Sequence, residues 1–269
     1  MNTLFSKYLF LISIIFVSLS SCKKDKDETN DPAPDPTAGL TKIAETYVTG
    51  AAAKAVLYSG QDLQTGYNEI YTVFYDSLDG SKLGDCHFHV EAMIDINDED
   101  HIAPTEDSDE ETPANGLFKT SIVFHKAGKW MLHLHLHNHK SDKDGETELE
   151  VPVVESKPLS RLINLGDTLL IAMVKPVSPK TGINDAELLV YQKNTDNTFD
   201  YASEYTFEMD PFMPSMNHGS PNNVNPVYTT NGRYNGKVNF TMSGLWQLKI
   251  TLRKNGNLIF DDRFFEITI

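Results

Sequence analysis

The chain has 269 residues, a formal net charge of −15 and two cysteines. Its length is sufficient for two domains, each with its own hydrophobic core. The acidic balance argues against a nucleic-acid partner and against electrostatic docking on anionic lipid, because both present negative charge to the protein.

The first residues have the pattern of an export signal. A short apolar run, YLFLISIIFVSL, follows Lys7 and is too short to cross a bilayer comfortably. The run ends in LSSC, residues 19–22, which resembles the lipobox of bacterial lipoproteins. The resemblance implies a signal peptide over residues 1–21 and lipidation of Cys22, which then becomes the first residue of the mature chain. The alternative is an ordinary cleaved signal with an incidental cysteine.

Residues 22–42 are predicted to form a lipidated, disordered tether. The segment KKDKDETNDPAPDPTAG is charged, contains proline and has almost no apolar residues, so it cannot bury enough surface to fold. Such segments resemble the export tags with which some Gram-negative bacteria display lipoproteins. We therefore expect a lipid anchor in the outer membrane, which holds the protein on the periplasmic or the cell-surface side.

The second cysteine has no partner if Cys22 is acylated. A disulfide framework is then excluded, although an exported protein enters an oxidising compartment. Cys86 is predicted to be either a small buried side chain or a metal-binding thiolate.

The rest of the chain contains an internal repeat. TGYNEIYTVFYDS, which begins at Thr65, aligns with TGINDAELLVYQK, which begins at Thr181, at an offset of 181 − 65 = 116. The same offset aligns NGLFKTSIVFHKAGKWMLHLHL with NGRYNGKVNFTMSGLWQLKITL and places Trp130 over Trp246. One offset that holds at both ends of a unit predicts two copies of a single domain.

Each copy is predicted to be an all-β domain. Leu248, Ile250 and Leu252 alternate with polar residues, which is the period of a half-buried strand. Asn-Gly and Ser-Gly pairs and scattered prolines mark turns, and no long segment has helical periodicity. We predict two tandem immunoglobulin-like antiparallel β-sandwiches, residues 43–155 and residues 156–269.

The segment DINDEDHIAPTEDSDEE, residues 95–111, carries nine carboxylates. We expect a solvated, mobile loop. A weak calcium site is the alternative, but no glycine lies at the turn position that a calcium loop requires.

Eight of the nine histidines lie in the first copy. WMLHLHLHNH places four of them at period two, so they project from one face of a strand. The repeat aligns the intervening leucines with apolar residues, so the histidines are predicted to face solvent. CHFH, residues 86–89, alternates in the same way. The predicted outward-facing ligands are His87, His89, His133, His135 and His137.

These histidines form a better chelate if their two strands are adjacent. Cross-strand neighbours lie about 5 Å apart, and imidazole pairs at that spacing suit Zn²⁺, Cu²⁺ or Ni²⁺. Glu91 could add an oxygen ligand. The alternative is a polar solvent-facing surface that happens to use histidine.

The second copy carries FMPSMNHGSP, residues 212–221, in which Met213, Met216 and His218 are candidate ligands. Thioether sulfur and imidazole together suit copper, as Cu(I) or Cu(II). The alternative is packing, in which the methionines cap the open end of the sandwich and His218 bonds a backbone carbonyl.

An alignment of the two copies over this loop uses an offset of 117. His101 then faces His218, while Ile96 faces Met213 and Glu99 faces Met216. The first copy keeps the histidine and lacks both sulfurs, so only the second copy is expected to bind soft metal in this way.

GINDAELLVYQK, MPSMNHGSP and NGRYNGKVNFTMSGLWQLKITL together resemble the YtkA-like/FixH group of small exported β-sandwich domains. The resemblance covers most of the second copy and the skeleton of the first. It implies an envelope protein, and some members of the group accompany copper or oxidase-assembly systems.

The sequence lacks a P-loop, a dinucleotide glycine fingerprint, HExxH and G-x-S-x-G, so we do not expect an enzyme. The first functional hypothesis is a cell-envelope lipoprotein of two YtkA-like β-sandwich domains that binds or buffers a transition metal, with copper favoured over zinc. The alternative is a surface-displayed module that binds a partner protein or a glycan without metal. The expected partners are the membrane, through the lipid anchor, and an envelope protein. A third hypothesis, an oxidase-assembly factor, rests on family analogy.

Overall fold

The structure is a computed structural model that describes residues 35–108, 111–156, 162–164 and 169–269. The predicted signal peptide, Cys22 and the tether as far as residue 34 lie outside the described residues. Strand β1 begins at Thr41, so it includes the last two residues of the predicted tether. In the described part of the chain, no helix has the length and apolar character of a membrane span.

Over the described residues, the first β-sandwich contains ten strands in two antiparallel sheets. One sheet has the order β1-β2-β3-β8-β7, with β4 paired to β3, and the other has the order β10-β9-β5-β6. The strands are β1 (Thr41–Val48), β2 (Ala53–Ser59), β3 (Gly66–Asp76), β4 (Lys82–Leu83), β5 (Cys86–Asp95), β6 (Asp100–Ala103), β7 (Thr105–Asp107), β8 (Phe118–Phe124), β9 (Gly128–Asn138) and β10 (Lys143–Val153).

The second β-sandwich follows with the same plan. Its sheets have the orders β11-β12-β13-β18-β17, with β14 paired to β13, and β16-β15-β19-β20. The strands are β11 (Leu162–Asn164), β12 (Leu169–Lys175), β13 (Gly182–Lys193), β14 (Phe199–Tyr201), β15 (Tyr205–Met213), β16 (His218–Gly219), β17 (Val224–Thr230), β18 (Arg233–Phe240), β19 (Leu245–Lys254) and β20 (Asn257–Thr268). The predicted all-β fold of two tandem sandwiches is confirmed.

Each sandwich has one core with a tryptophan at its centre. Trp130 and Trp246 are fully buried, and each lies in the cluster of apolar side chains that fills its own sandwich. The indole N–H of Trp130 donates to the carbonyl of Lys126 at 2.9 Å, and that of Trp246 donates to the carbonyl of Met242 at 3.0 Å. A buried indole needs such an acceptor, and both halves supply it four residues upstream.

The acidic segment is not a simple loop, contrary to the prediction. Asp100–Ala103 forms β6 beside β5, and Thr105–Asp107 forms β7 beside β8. Pro104 lies between these strands, so the chain passes here from one sheet to the other. The carboxylates of β7 have specific partners: Asp107 accepts from Thr120, and Glu106 pairs with Arg233 of the second sandwich.

The two sandwiches meet through an apolar cluster and a charged network. The cluster joins Val123 of the first sandwich to Leu170, Ala172, Leu189 and Tyr191 of the second. Beside it, Arg233 bonds both Glu106 and Glu187, and the hydroxyl of Tyr201 donates to Glu106 at 2.9 Å. These ionic side chains are largely buried, so each depends on its partners for solvation.

Gly145 is required where β10 passes the end of β1. Thr49 and Glu146 exchange backbone hydrogen bonds of 3.2 and 3.0 Å at this point. A Cβ atom on Gly145 would overlap the backbone of Thr49 and Ala51. We expect Gly145→Ala to lower the free energy of unfolding by about 2–3 kcal/mol, because the backbone must shift to admit the methyl group.

Urea unfolding measures this change. Gly60→Ala is the matched control, because a Cβ atom there meets open space and the backbone is not left-handed. Equal stability of the two variants would contradict the prediction.

Candidate functional site

The two histidine strands are adjacent, which the sequence had left open, and their histidines face outward as predicted. In the register of β5 and β9, His87 lies opposite His137, and His89 lies opposite His135. Their neighbours Phe88 and Leu136 point into the core. We call the outward side chains of His87, His89, His133, His135, His137 and His139 the histidine face.

The centre of the histidine face is a shallow depression of about 570 Å³. Its lining includes His87, His89, His135, His137 and, on the neighbouring strand, Asp144 and Glu146. The four imidazoles are therefore accessible from solvent as one group.

Every imidazole of the histidine face has its Nδ1 atom next to a carboxylate. Strand β10 supplies three of these carboxylates, and loops and β7 supply the others. The Nδ1–oxygen distances are 3.5 Å for His87–Glu111, 2.5 Å for His89–Asp107, 3.2 Å for His133–Glu148, 3.6 Å for His135–Glu146, 2.8 Å for His137–Asp144 and 2.5 Å for His139–Asp85.

This arrangement determines which nitrogen can bind a ligand. A carboxylate beside Nδ1 favours the tautomer with hydrogen on Nδ1, which leaves the lone pair on Nε2. Metal-binding histidines are oriented by such carboxylates, which also raise their basicity. The Asp85 hydrogen bond raises the pKa of His139 above its ordinary value.

The side chains do not form a closed coordination shell. Among residues 35–108, 111–156 and 169–269, no three His, Cys, Asp or Glu side chains are arranged to hold a metal ion. The rings of His89 and His135 are stacked with centroids 6.5 Å apart. Coordination of one ion by both rings requires them to move closer, which exposed side chains do readily.

Sequence reasoning missed the carboxylates that orient these imidazoles. In β10, Asp144, Glu146 and Glu148 pair with His137, His135 and His133 across a short hairpin. The sequence pattern that could have predicted them is the run of carboxylates at every second residue directly after the histidine strand. Glu91 lies opposite His133 and 3.7 Å from His89 Nε2, so the predicted oxygen ligand is adjacent to the face.

The second sandwich has no histidine at the corresponding positions. Thr206 lies opposite Arg253 where the first half has His87 and His137, and Glu208 lies opposite Thr251 where it has His89 and His135. Arg253 and Glu208 form an ordinary ion pair at 3.0 Å. The histidine face is therefore a property of the first half alone.

The predicted methionine loop divides between the core and solvent. Met213 is buried in the core, whereas Met216 is 60% exposed in the turn. The imidazole Nδ1 of His218 donates to the Gly219 carbonyl at 2.7 Å. The alternative in which this loop only packs the core therefore fits Met213, and His218 Nδ1 bonds a backbone carbonyl as that alternative expects. Met216 does not cap the core.

The alignment predicted that Ile96 of the first copy corresponds to Met213, and this position is wrong by two residues. In the structure Met213 pairs with His218, and the residue that pairs with His101 is Ile94 rather than Ile96. The first half has a longer turn, in which Asp95 and Asp100 add a further pair.

Cys86 is a buried small side chain and not a thiolate. Only 1% of it is exposed, and burial raises the pKa of its thiol to about 12. The thiol therefore stays protonated at neutral pH, when it is a poor metal ligand.

Two further histidines meet at the junction of the sandwiches. The rings of His101 and His125 lie 6.0 Å apart, and His125 packs against Trp130 and against Phe199 of the second half. Burial, followed by the proximity of His101, lowers the pKa of His125 to about 4.

The comparison with protein families finds a match in the second half of the chain. Residues 166–251 match the model of the YtkA-like family. No curated protein matches the chain.

Solved structures of bacterial surface proteins are distantly similar. Domains 5–6 of the S-layer protein SbsC have a TM-score of 0.32 at 13% identity, over 85% of this chain and 97% of that one. The adhesin FdeC of Escherichia coli has a TM-score of 0.27 at 11% identity, over 88% and 83%. The integrin-binding protein invasin has a TM-score of 0.25 at 14% identity, over 81% and 39%. Scores this low assign no function.

The half-buried His125 is expected to make the first sandwich sensitive to acid. Its folded pKa of about 4 lies below its ordinary value of 6.5, so the unfolded chain binds the proton more readily between these values. The stability contributed by neutral His125 is therefore present above pH 6.5 and is lost as pH falls towards 4. We expect wild type to lose roughly 2–3 kcal/mol relative to His125→Gln from pH 7 to pH 4, measured by urea unfolding.

His139→Gln is a control of opposite sign. The raised pKa of His139 means that its contribution is present below 6.5 and is lost as pH rises through the folded pKa. Parallel pH profiles for wild type and His125→Gln would disprove the prediction.

Proposed function

We propose that this chain is a cell-envelope protein that binds and buffers transition-metal ions, copper or zinc, at the histidine face. The observation that supports this most directly is that all six imidazoles have a carboxylate oxygen 2.5–3.6 Å from Nδ1, and that His89, His137 and His139 are hydrogen-bonded to it. A surface that used histidine only as a polar residue would not require the same nitrogen to face a carboxylate each time.

The chemistry of the ligand atoms limits which metal ions can bind. Neutral imidazole is a borderline ligand that suits Cu²⁺, Zn²⁺ and Ni²⁺ better than Ca²⁺ or Mg²⁺. The pairs His87–His137 and His89–His135 offer four such nitrogens in one depression. An open, solvent-exposed set of ligands suits reversible storage better than a permanent structural site, which is normally closed.

The second half is proposed to add a soft site in the Met213–His218 turn. Thioether sulfur favours Cu(I), and it needs no deprotonation before it binds. The YtkA-like match covers this turn, and the resemblance of the loop to a group with copper-associated members supports copper as the ion.

The envelope location is proposed from the first residues. The apolar run and LSSC support export and lipidation at Cys22, with residues 23–40 as the connection to the first sandwich. An anchor of this kind would keep the protein attached to a membrane. The protein needs no catalytic machinery for such a role, and we propose none.

The alternative is a surface module that binds a partner protein or a glycan without metal. It is favoured by β17, an edge strand on which Val227 and Tyr228 are 63% and 45% exposed. Edge strands with exposed apolar side chains are available for pairing with another chain.

Metal titration separates these functions. We expect the full-length protein, purified in detergent, to bind Zn²⁺ and Cu²⁺ in isothermal titration. His87→Thr with His135→Thr removes one imidazole from each pair and introduces the threonines that the second half has there. We expect this variant to bind at least about tenfold more weakly, because neither pair can then chelate.

Thr206→Ala with Thr251→Ala is the matched control in the second half, and it should bind as wild type does. Unchanged affinity in the histidine variant, or no uptake by wild type, would reject the metal function in favour of the alternative.

Lipidation is tested separately by incorporation of labelled palmitate in cells. We expect wild type and Cys86→Ala to be labelled and Cys22→Ala to lose the label, because only Cys22 follows the signal-like run. Label in the Cys22 variant would show that the anchor is elsewhere.

A further inference from the structure

Three side chains from three neighbouring strands meet at one end of the second sandwich. The strand order is β16-β15-β19, and His218 of β16 pairs directly with Met213 of β15. The β15–β19 register runs as far as Phe212 opposite Gln247, so the next position brings Met213 beside Trp246. Side chains of directly paired residues share a face, and here that face is the core.

One nitrogen in this group lacks a partner. His218 Nδ1 donates to Gly219, which leaves the lone pair on Nε2, and Nε2 is buried without a hydrogen bond among the described residues. A buried polar atom without a partner costs about 1–3 kcal/mol, so it requires an explanation. The imidazole meets the Trp246 indole edge-on, with centroids 5.6 Å apart.

The thioether of Met213 occupies the same region. Met213 is only 2% exposed, and its methyl group lies 3.1 Å from the position of a Cβ atom on Gly244. The absence of a side chain at Gly244, two residues before Trp246, leaves room for the methionine. A soft sulfur, an unused imidazole nitrogen and an indole therefore lie together in an environment from which solvent is largely excluded.

We propose that Met213 Sδ and His218 Nε2 bind a soft monovalent cation of the Cu(I) class, with the Trp246 indole beside it. This inference rests on the proposed metal function and assigns its soft site to two protein ligands. Met216 is not part of the proposed site, because its side chain is exposed in the turn, outside the buried group formed by Met213, His218 and Trp246. Thioether and imidazole are suitable donors for such an ion, and an indole stabilises a nearby cation through its ring.

The first sandwich has the same strand pairing without the sulfur, but the imidazole that meets its tryptophan is that of His125. Ile94 pairs with His101, and the β5–β9 register brings it beside Trp130. The Ile94 side chain lies next to Gly128 as Met213 lies next to Gly244. The strand position beside the tryptophan thus carries isoleucine in one half and methionine in the other, so each half supplies a fold-compatible substitution for the other.

The experiment uses Ag(I), a redox-stable stand-in for Cu(I), and the full-length protein in detergent. Methionine methyl groups are labelled with carbon-13, and binding is followed by NMR and by tryptophan fluorescence. We expect Ag(I) to shift the Met213 methyl signal and to quench Trp246. Met213→Ile and His218→Gln should each weaken binding by at least about tenfold, while Met216→Leu should bind as wild type does.

Ile94→Met is the gain-of-function variant, and it should create a second Ag(I) site in the first half. Thermal unfolding of every variant tests whether the fold is retained. Three results would overturn the inference: unchanged Ag(I) affinity in Met213→Ile, loss of binding in Met216→Leu, or a His218 Nε2 atom that bonds only a water molecule. Retention of Zn²⁺ binding by Met213→Ile would show that the histidine face functions whether or not the soft site exists.

Discussion

The burial of Leu132, Leu134 and Leu136 determines the direction of every histidine on β9. Successive side chains of a strand point to opposite faces, so a slip of one residue would turn the imidazoles into the core. Trp130 prevents such a slip, because its indole fits one acceptor and one place in the core. The histidine face is therefore a consequence of packing on the other side of the same sheet.

Much of this arrangement follows from local sequence. The period of two in HLHLHNH and CHFH predicted the outward direction, and the repeat predicted which residues are inside. The partners of the imidazoles were not predictable in the same way. Asp107 reaches His89 only because the chain crosses between sheets at Pro104, and that crossing depends on how two hydrophobic surfaces close over each other.

The misalignment of Ile94 has a similar cause. The second copy is two residues shorter than the first in this region. The sequence alignment placed this gap before the loop, whereas in the structure the two extra residues of the first copy lengthen its turn. Hairpin length is set by pairing and turn geometry, neither of which is visible in an alignment of two divergent copies. The exposure of Met216 was not predictable for the same reason, because it depends on the conformation of the turn between Met213 and His218.

Strand β7 connects the histidine face to the junction between the sandwiches. Adjacent residues on this strand point in opposite directions, so Asp107 accepts from His89 while Glu106 pairs with Arg233. Removal of one partner from a buried ion pair is costly, because the remaining charge loses its solvation. One three-residue strand therefore supplies both an ionic contact between the two sandwiches and a carboxylate that orients an imidazole.

Strand β10 lies at the edge of its sheet and carries Glu146, Glu148 and Glu150 on its exposed face. Glu146 exchanges backbone hydrogen bonds with Thr49, but an edge strand that is not paired along its whole length can still act as a template for intermolecular sheet growth. Two molecules that approached through this edge would bring rows of glutamate against each other, and like charges on facing strands repel. The carboxylates that orient the imidazoles therefore also oppose the association of two molecules through this edge.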